Sequence, residues 1–107
     1  VRDGEISRVK ANRMPIGIYH GKVQEFSRYQ FELKQGDQLY IFSDGFADQI
    51  GGPKGKKYMS GHLKRFLLQI SGEPMKSQHQ YLEEEFLRWK GEQQQIDDVL
   101  IMGIRIL

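Results

Sequence analysis

Two acidic sites stand where two apolar runs end and begin. Asp44, in Ser43-Asp44-Gly45, directly follows Leu39-Tyr40-Ile41-Phe42, and Asp97-Asp98 directly precede the apolar run 99–107. If the two runs are antiparallel neighbours, the end of one lies beside the start of the other, and the carboxylates meet at one edge of a sheet. Neighbouring strands are about 4.8 Å apart, and carboxylates held that close repel unless something positive lies between them. A divalent cation supplies that charge. Mg²⁺ and Mn²⁺ take oxygen ligands and commonly keep waters in their shells. Two such ions about 3.5–4 Å apart can activate a water and clamp a phosphoryl group. Gly45 lets the backbone pass close to such a shell. Each motif also has a plainer reading: Asp-Gly after a strand is often only a turn, and an acidic pair ahead of a strand is often only solvated. Both motifs beside apolar strands make the metal reading worth pursuing.

Other reactive side chains are fewer. Lys54, Lys56 and Lys57 cluster in Gly51-Gly52-Pro53-Lys54-Gly55-Lys56-Lys57. They can contact an acidic or phosphorylated partner, although the simpler reading is a solvated loop. They do not form a Walker-type phosphate loop, which requires a Ser or Thr after the Lys and a correctly spaced upstream Gly. His20, His62 and His79 are candidates for a general acid by residue type alone. With no cysteine, the sequence has no disulfide framework, thiolate zinc site or cysteine nucleophile, in keeping with a reducing compartment.

The elements that position these residues follow from hydrophobic period. Residues 2–10 contain a short strand-like piece with Ile6 and Val9 as its apolar members. Residues 12–21, punctuated by Pro15, Gly17 and Gly21, read as a turn or loop. Tyr29, Phe31 and Leu33 alternate with Gln30 and Glu32, the period of a half-buried strand, and Gln35-Gly36-Asp37 is a turn signal before the run 39–42. The two runs predict an antiparallel hairpin, and 39–42 reads as a central strand covered on both faces. Residues 51–57 read as a mobile surface loop. Leu63, Phe66, Leu67 and Ile70 mark one face of a helix, with Ser60 as its cap and Gly72 as its end. A second helix carries Leu82, Phe86 and Trp89. Ser77 with Gln80 is its capping box, Glu84 pairs with Arg88, and Gly91 stops it. Strands, two helices and a strand make an α+β arrangement: a mainly antiparallel sheet with two helices on one face.

A chain of 107 residues, 38% hydrophobic and 28% charged, suits one domain with a modest core. A formal net charge of +2 does not argue for nucleic acid, because Glu83, Glu84 and Glu85 balance the lysines elsewhere. No apolar run approaches the roughly 18 residues that span a bilayer, so no membrane contact is expected from this segment.

The motifs resemble the bacterial branch of the metal-dependent, protein phosphatase 2C-like enzymes, in particular the sporulation stage-II-E and sigma-factor-regulator type. That branch combines an apolar strand, Ser/Thr-Asp-Gly, an acidic residue, a variable loop with helices, Asp-Asp and a final apolar strand. Here the corresponding residues are 39–42, Ser43-Asp44-Gly45, Asp48 and Ile96-Asp97-Asp98-Val99, with Met14-Pro15-Ile16-Gly17-Ile18 resembling an earlier Pro-Leu-Gly segment and residues 48–57 resembling the variable stretch. The resemblance implies an α-β-β-α sandwich, present here in part, with two Mn²⁺ or Mg²⁺ ions. Asp44 and Asp97 would be metal ligands, Gly45 and Asp98 would support them, and Lys54, Lys56 and Lys57 would form a substrate loop. Where the family often has Thr, two residues after the acidic pair, this chain has Leu100.

It further implies that residues 1–107 are the carboxy-terminal portion of a single phosphatase domain whose amino-terminal half is absent. That half carries a further metal-binding Asp and Gly. The resulting apolar face and sheet edge would need a cover, a dimer being one. The implied reaction is hydrolysis of phosphoserine or phosphothreonine in a cytoplasmic regulatory protein, such as an anti-sigma-factor antagonist, by the complete domain and not by this segment alone. Two other readings compete: a pseudophosphatase or interaction module that keeps the fold, and a nucleic-acid-binding β domain using Tyr29, Tyr40, Phe42 and the lysines.

Overall fold

The runs at 39–42 and 99–107 do pair. The computed structural model describes residues 1–9 and 30–107. In chain order they form β1 (Gln38–Phe42), α1 (Gly45–Asp48), β2 (Ile50–Gly51), β3 (Lys56–Lys57), α2 (Ser60–Ile70), α3 (Met75–Lys90) and β4 (Ile101–Arg105). β1 lies antiparallel to β4, with Gln38 opposite Arg105 and Phe42 opposite Ile101. β2 and β3 form a separate antiparallel pair. The fold is therefore α+β, with antiparallel sheets as the order of elements predicts.

Because side chains alternate along a strand, the β1–β4 ribbon has two unlike faces. Tyr40, Phe42 and Ile101 turn toward the helices and pack against the core of Phe46, Tyr58, Leu63, Leu67, Ile70 and Phe86. Ile41, Met102 and Ile104, on the other face, are 60%, 51% and 42% exposed. The expectation that β1 is covered on both faces is thus corrected: among the described residues the helical layer lies on one side only. The hairpin expected between 29–33 and β1 is corrected as well. Of that first strand only Tyr29 lies outside the described residues, as do the 14–18 segment and His20, and residues 30–34 are not strand. The turn at Gln35 and Gly36 is present, with Gly36 at φ +88°, a conformation that glycine adopts without strain.

Residues 51–57 are not an irregular loop. They are most of a tight hairpin, in which β2 and β3 flank four turn residues. Gly52 and Gly55 have φ of +69° and +59°, which allows the chain to reverse so quickly. Trp89 holds the hairpin down: Gly52 N–H donates to the Trp89 carbonyl at 2.9 Å, and a Cβ on Gly51 would sit 1.9 Å from that same oxygen.

Both long helices form where the apolar period places them, but their starts differ. Met59 precedes α2 with φ +79°, and Ser60 is the first helical residue and not a side-chain cap. α3 begins after Pro74, so Ser77 lies inside it and forms no capping box. Pro74 stands at the cap position with extended backbone, and no side chain caps the helix start. Arg88 pairs with Glu85, Nε to Oε1 at 2.6 Å, while Glu84 accepts from Gln80. Glu85 is held by two partners because Tyr58 Oη also donates to it, at 2.8 Å. Gly91, at φ +52°, ends α3 as expected.

Of the strand-like piece expected at residues 2–10, the described residues 2–5 form a turn and 6–9 are not strand. Arg2 and Glu5 exchange main-chain hydrogen bonds at 2.9 Å across Asp3 and Gly4. Arg2 then reaches β1: its Nε and Nη2 donate to Asp37 Oδ1 and Oδ2 at 2.8 and 2.6 Å. Lys34 N–H adds a bond to Oδ2 at 2.8 Å. These donors hold the Asp37 carboxyl well below the usual carboxylate range, with the Arg2 hydrogen bonds the larger cause.

Two outcomes follow. Leu67, 1% exposed in the core, should cost about 2–5 kcal/mol on Leu67→Ala in urea unfolding, through lost burial and a residual cavity. Asp37 has a lower pKa folded than unfolded, so its stabilisation is present above the unfolded carboxylate value, about 3.9, and disappears as pH falls through the folded value. Thermal melts from pH 6 downward should lose stability in that acid range, and Asp37→Asn should flatten this limb.

Candidate functional site

At the end of β1 the chain turns directly into α1, and this corner touches the segment that leads into β4. Ser43 N–H donates to the Leu100 carbonyl at 3.0 Å, continuing the ladder by one residue. The Ser43 hydroxyl then works in both directions. It donates to the Asp98 carbonyl at 3.2 Å and accepts from Leu100 N–H at 3.1 Å. Gly45 is buried, and a Cβ built on it would stand 2.0 Å from the Asp98 carbonyl oxygen and 2.8 Å from its carbon. Both atoms are main chain and have no rotamer by which to escape. Only glycine permits this approach.

The contact puts Asp44 one residue from Gly45 and Asp97 one residue from Asp98, at the same end of the ribbon. Asp44 occupies the position before α1, where an aspartate usually caps the helix, yet its carboxylate makes no capping hydrogen bond. Asp97 Oδ1 accepts from Asp98 N–H at 2.8 Å, and Gln95 Nε2 donates to the Asp97 carbonyl at 2.9 Å. Asp44, Asp97 and Asp98 are all exposed. The acidic segments expected to share an edge therefore do share one.

Among the described residues, no three His, Cys, Asp or Glu side chains converge as a metal site. The donor chemistry on offer here is carboxylate oxygen, which suits Mg²⁺ or Mn²⁺. Carboxylates from Asp44 and Asp97 would fill only part of an octahedral shell.

The core steadies this corner from behind. Phe46, two residues after Asp44, is 2% exposed. Its ring meets Tyr58 at 5.0 Å edge-on and Phe86 at 5.2 Å. Burial pushes the Tyr58 phenol far up, and its bond to Glu85 adds to the shift. His62 stacks on Tyr58 at 4.0 Å, which gives that histidine a packing role. His79 lines a groove with Tyr40, Met75 and Leu82. Lys54, Lys56 and Lys57 lie on the β2–β3 hairpin, and Lys57 Nζ is 3.8 Å from Asp48 Oδ1 on α1.

Ser43 is the site residue that the sequence left unassigned. The available signal was the hydroxyl residue directly before Asp44-Gly45, and its bond goes to the main chain of Leu100, so it does not depend on the side chain there.

The Ser43 latch and the Gly45 contact can be tested separately. Ser43→Ala should cost about 1 kcal/mol in chemical unfolding, the ordinary net value of such bonds. Gly45→Ala should cost more, about 1–3 kcal/mol or above, because backbone must move to admit the methyl group.

Comparison with known proteins agrees with this architecture. The model of the family described as Stage II sporulation protein E (SpoIIE) matches residues 1–107. Among solved structures, the chain is similar to the SiaA-PP2C domain of Pseudomonas aeruginosa, with TM-score 0.73 and 26% sequence identity over 78% of this chain. The match covers 34% of that structure, so this chain spans about a third of its length. A search of curated proteins finds no match.

Proposed function

The chain belongs to the Stage II sporulation protein E family, and on that premise we propose that it supplies one part of a metal-dependent phosphatase centre. The reaction we assign to the complete domain is hydrolysis of phosphoserine or phosphothreonine in a regulatory protein, with an anti-sigma-factor antagonist as one candidate substrate. The segment alone should be inactive. The observation that carries this reading is the Gly45–Asp98 approach, which gathers acidic residues from positions more than fifty apart at one strand end.

In this reading Asp44 and Asp97 hold Mn²⁺ or Mg²⁺ by their carboxylates. Bound divalent ions supply Lewis-acid polarisation of the phosphoryl group and lower the pKa of a water. The rest falls to this chain's own groups. The Ser43 hydroxyl and the Gly45 contact fix the spacing of the two acidic segments, and Asp98 N–H orients the Asp97 carboxylate through Oδ1. Phe46 keeps the corner from shifting as charge builds on a bound phosphate, because its ring is locked between Tyr58 and Phe86. Such preorganisation is what makes electrostatic stabilisation effective. We assign the reaction to the cytoplasm, the compartment in which a regulatory protein of that kind would act. No helix among the described residues is long and apolar enough to cross a membrane.

A second reading is a pseudophosphatase that keeps the fold and binds a partner, and the incomplete ligand set among the described residues is common to both readings. The two readings separate in the full-length protein. With Mn²⁺ and p-nitrophenyl phosphate, Asp44→Asn and Asp97→Asn should each lower kcat/KM by about 100-fold or more, since each removes a charge on which the ion depends. Calorimetric titration with Mn²⁺ should show weakened binding in both variants. A parent protein that takes up no Mn²⁺ would favour the pseudophosphatase, and full activity in both variants would remove these two residues from the metal site.

A further inference from the structure

We propose that the β2–β3 hairpin is a docking edge for acidic residues flanking the phosphorylated side chain of the substrate. The inference rests on the phosphatase reading and names a substrate feature for it. Lys54, Lys56 and Lys57 place three cations within four residues, all of them exposed. Among the described residues, Lys54 and Lys56 form no ion pair. Lys57 has only Asp48, at 3.8 Å, with both side chains roughly half exposed. A pair so long and so wet contributes little and is easily exchanged for another carboxylate.

The mount beneath these charges is stiff. Ile50 pairs with Lys57 and Gly51 with Lys56. Gly52 is bonded to the Trp89 carbonyl, and Tyr58 N–H to the Gln49 carbonyl at 3.0 Å. A Cβ on Gly52 would stand 2.7 Å from the Trp89 ring, so the turn sits against the indole. Lysines on a fixed backbone lose less freedom on binding than lysines on a loose loop.

Position completes the argument. Asp48 N–H donates to the Asp44 carbonyl at 2.9 Å, so the residue facing Lys57 is one helical turn from Asp44, about 6 Å along the axis. An extended peptide advances about 3.3–3.6 Å per residue. With the phosphorylated residue at the acidic corner, side chains two or three positions away reach the hairpin. Carboxylates there would meet lysines, while basic residues would be repelled. Such a contact steers association and weakens with salt.

The test uses the full-length protein in EDTA, so that bound peptide is not hydrolysed, and two fluorescein-labelled phosphoserine peptides. One carries Glu at the second and third positions on either side of the phosphoserine, and the other carries Gln there. Fluorescence anisotropy should show the Glu peptide binding roughly tenfold tighter at low salt, the product of three exposed contacts of ordinary strength. The difference should shrink at about 500 mM salt, where screening reaches only a few ångströms. The triple variant Lys54→Gln, Lys56→Gln, Lys57→Gln should abolish it with an unchanged melting temperature, and Lys54→Glu with Lys56→Glu should reverse it. Equal affinity for the two peptides, or a preference that survives the triple variant, overturns the proposal. So does a single-stranded oligonucleotide that competes as well as the Glu peptide, which would make the lysines a general polyanion site. Hydrolysis of p-nitrophenyl phosphate by the parent is read separately. If it is absent while the peptide preference holds, the phosphatase reading fails and acidic docking stands.

Discussion

A side chain of a single hydrogen at position 45 is the constraint on which the site depends. With the Asp98 carbonyl 2.0 Å from where a Cβ would be, the corner after β1 and the segment before β4 can meet only if residue 45 has none. The Ser43 hydroxyl closes the same seam with two hydrogen bonds to atoms 55 and 57 residues away. Neither interaction is chemically reactive. Together they set the distance between the acidic segments, and the carboxylates take their places from that distance.

The rest of the fold holds this seam. Phe46 anchors α1 in an aromatic cluster with Tyr58 and Phe86, and Tyr58 is in turn tied to Glu85 and Arg88 on α3. At the other end of the ribbon, Gln38 and Gln78 form a polar knot with Tyr40 and the carbonyls of Ser71 and Glu73. Arg105 joins it from β4. The turn between α2 and α3 is thereby bound to both strands. Buried polar groups satisfied in this way rigidify a core, whereas half-satisfied ones weaken it. Among the described residues, Gln49 Oε1 is buried without a partner.

The ribbon is covered unequally. Its inner face packs on the helices, and its outer face presents Ile41, Met102 and Ile104. Exposed apolar strands of this kind are aggregation-prone unless paired or covered.

Much of this was legible in local sequence. The period of Leu63, Phe66, Leu67 and Ile70 marks α2, the continuous runs mark β1 and β4, and Gly91 marks the end of α3, because each signal is carried by residues close together in the chain. The positions of Asp44 just after β1 and of Asp97 in the segment leading into β4 were legible for the same reason, although β4 begins at Ile101 and not at Val99. The helix starts were misread at Ser60 and Ser77 because a residue that can cap is not compelled to. Pro74 and the left-handed Met59 occupy those positions instead. Residues 51–57 read as a loop by composition. Only the tertiary structure shows that Trp89, more than thirty residues on, presses them into a hairpin. The Ser43 latch was hidden too, since a hydroxyl carries no sign of the distant main chain it will meet. Sequence determined which residues could form strands, helices and acidic ends, through near-neighbour sterics and period. Tertiary structure decided which ends touch, because close approach between distant segments depends on the packing of the whole core.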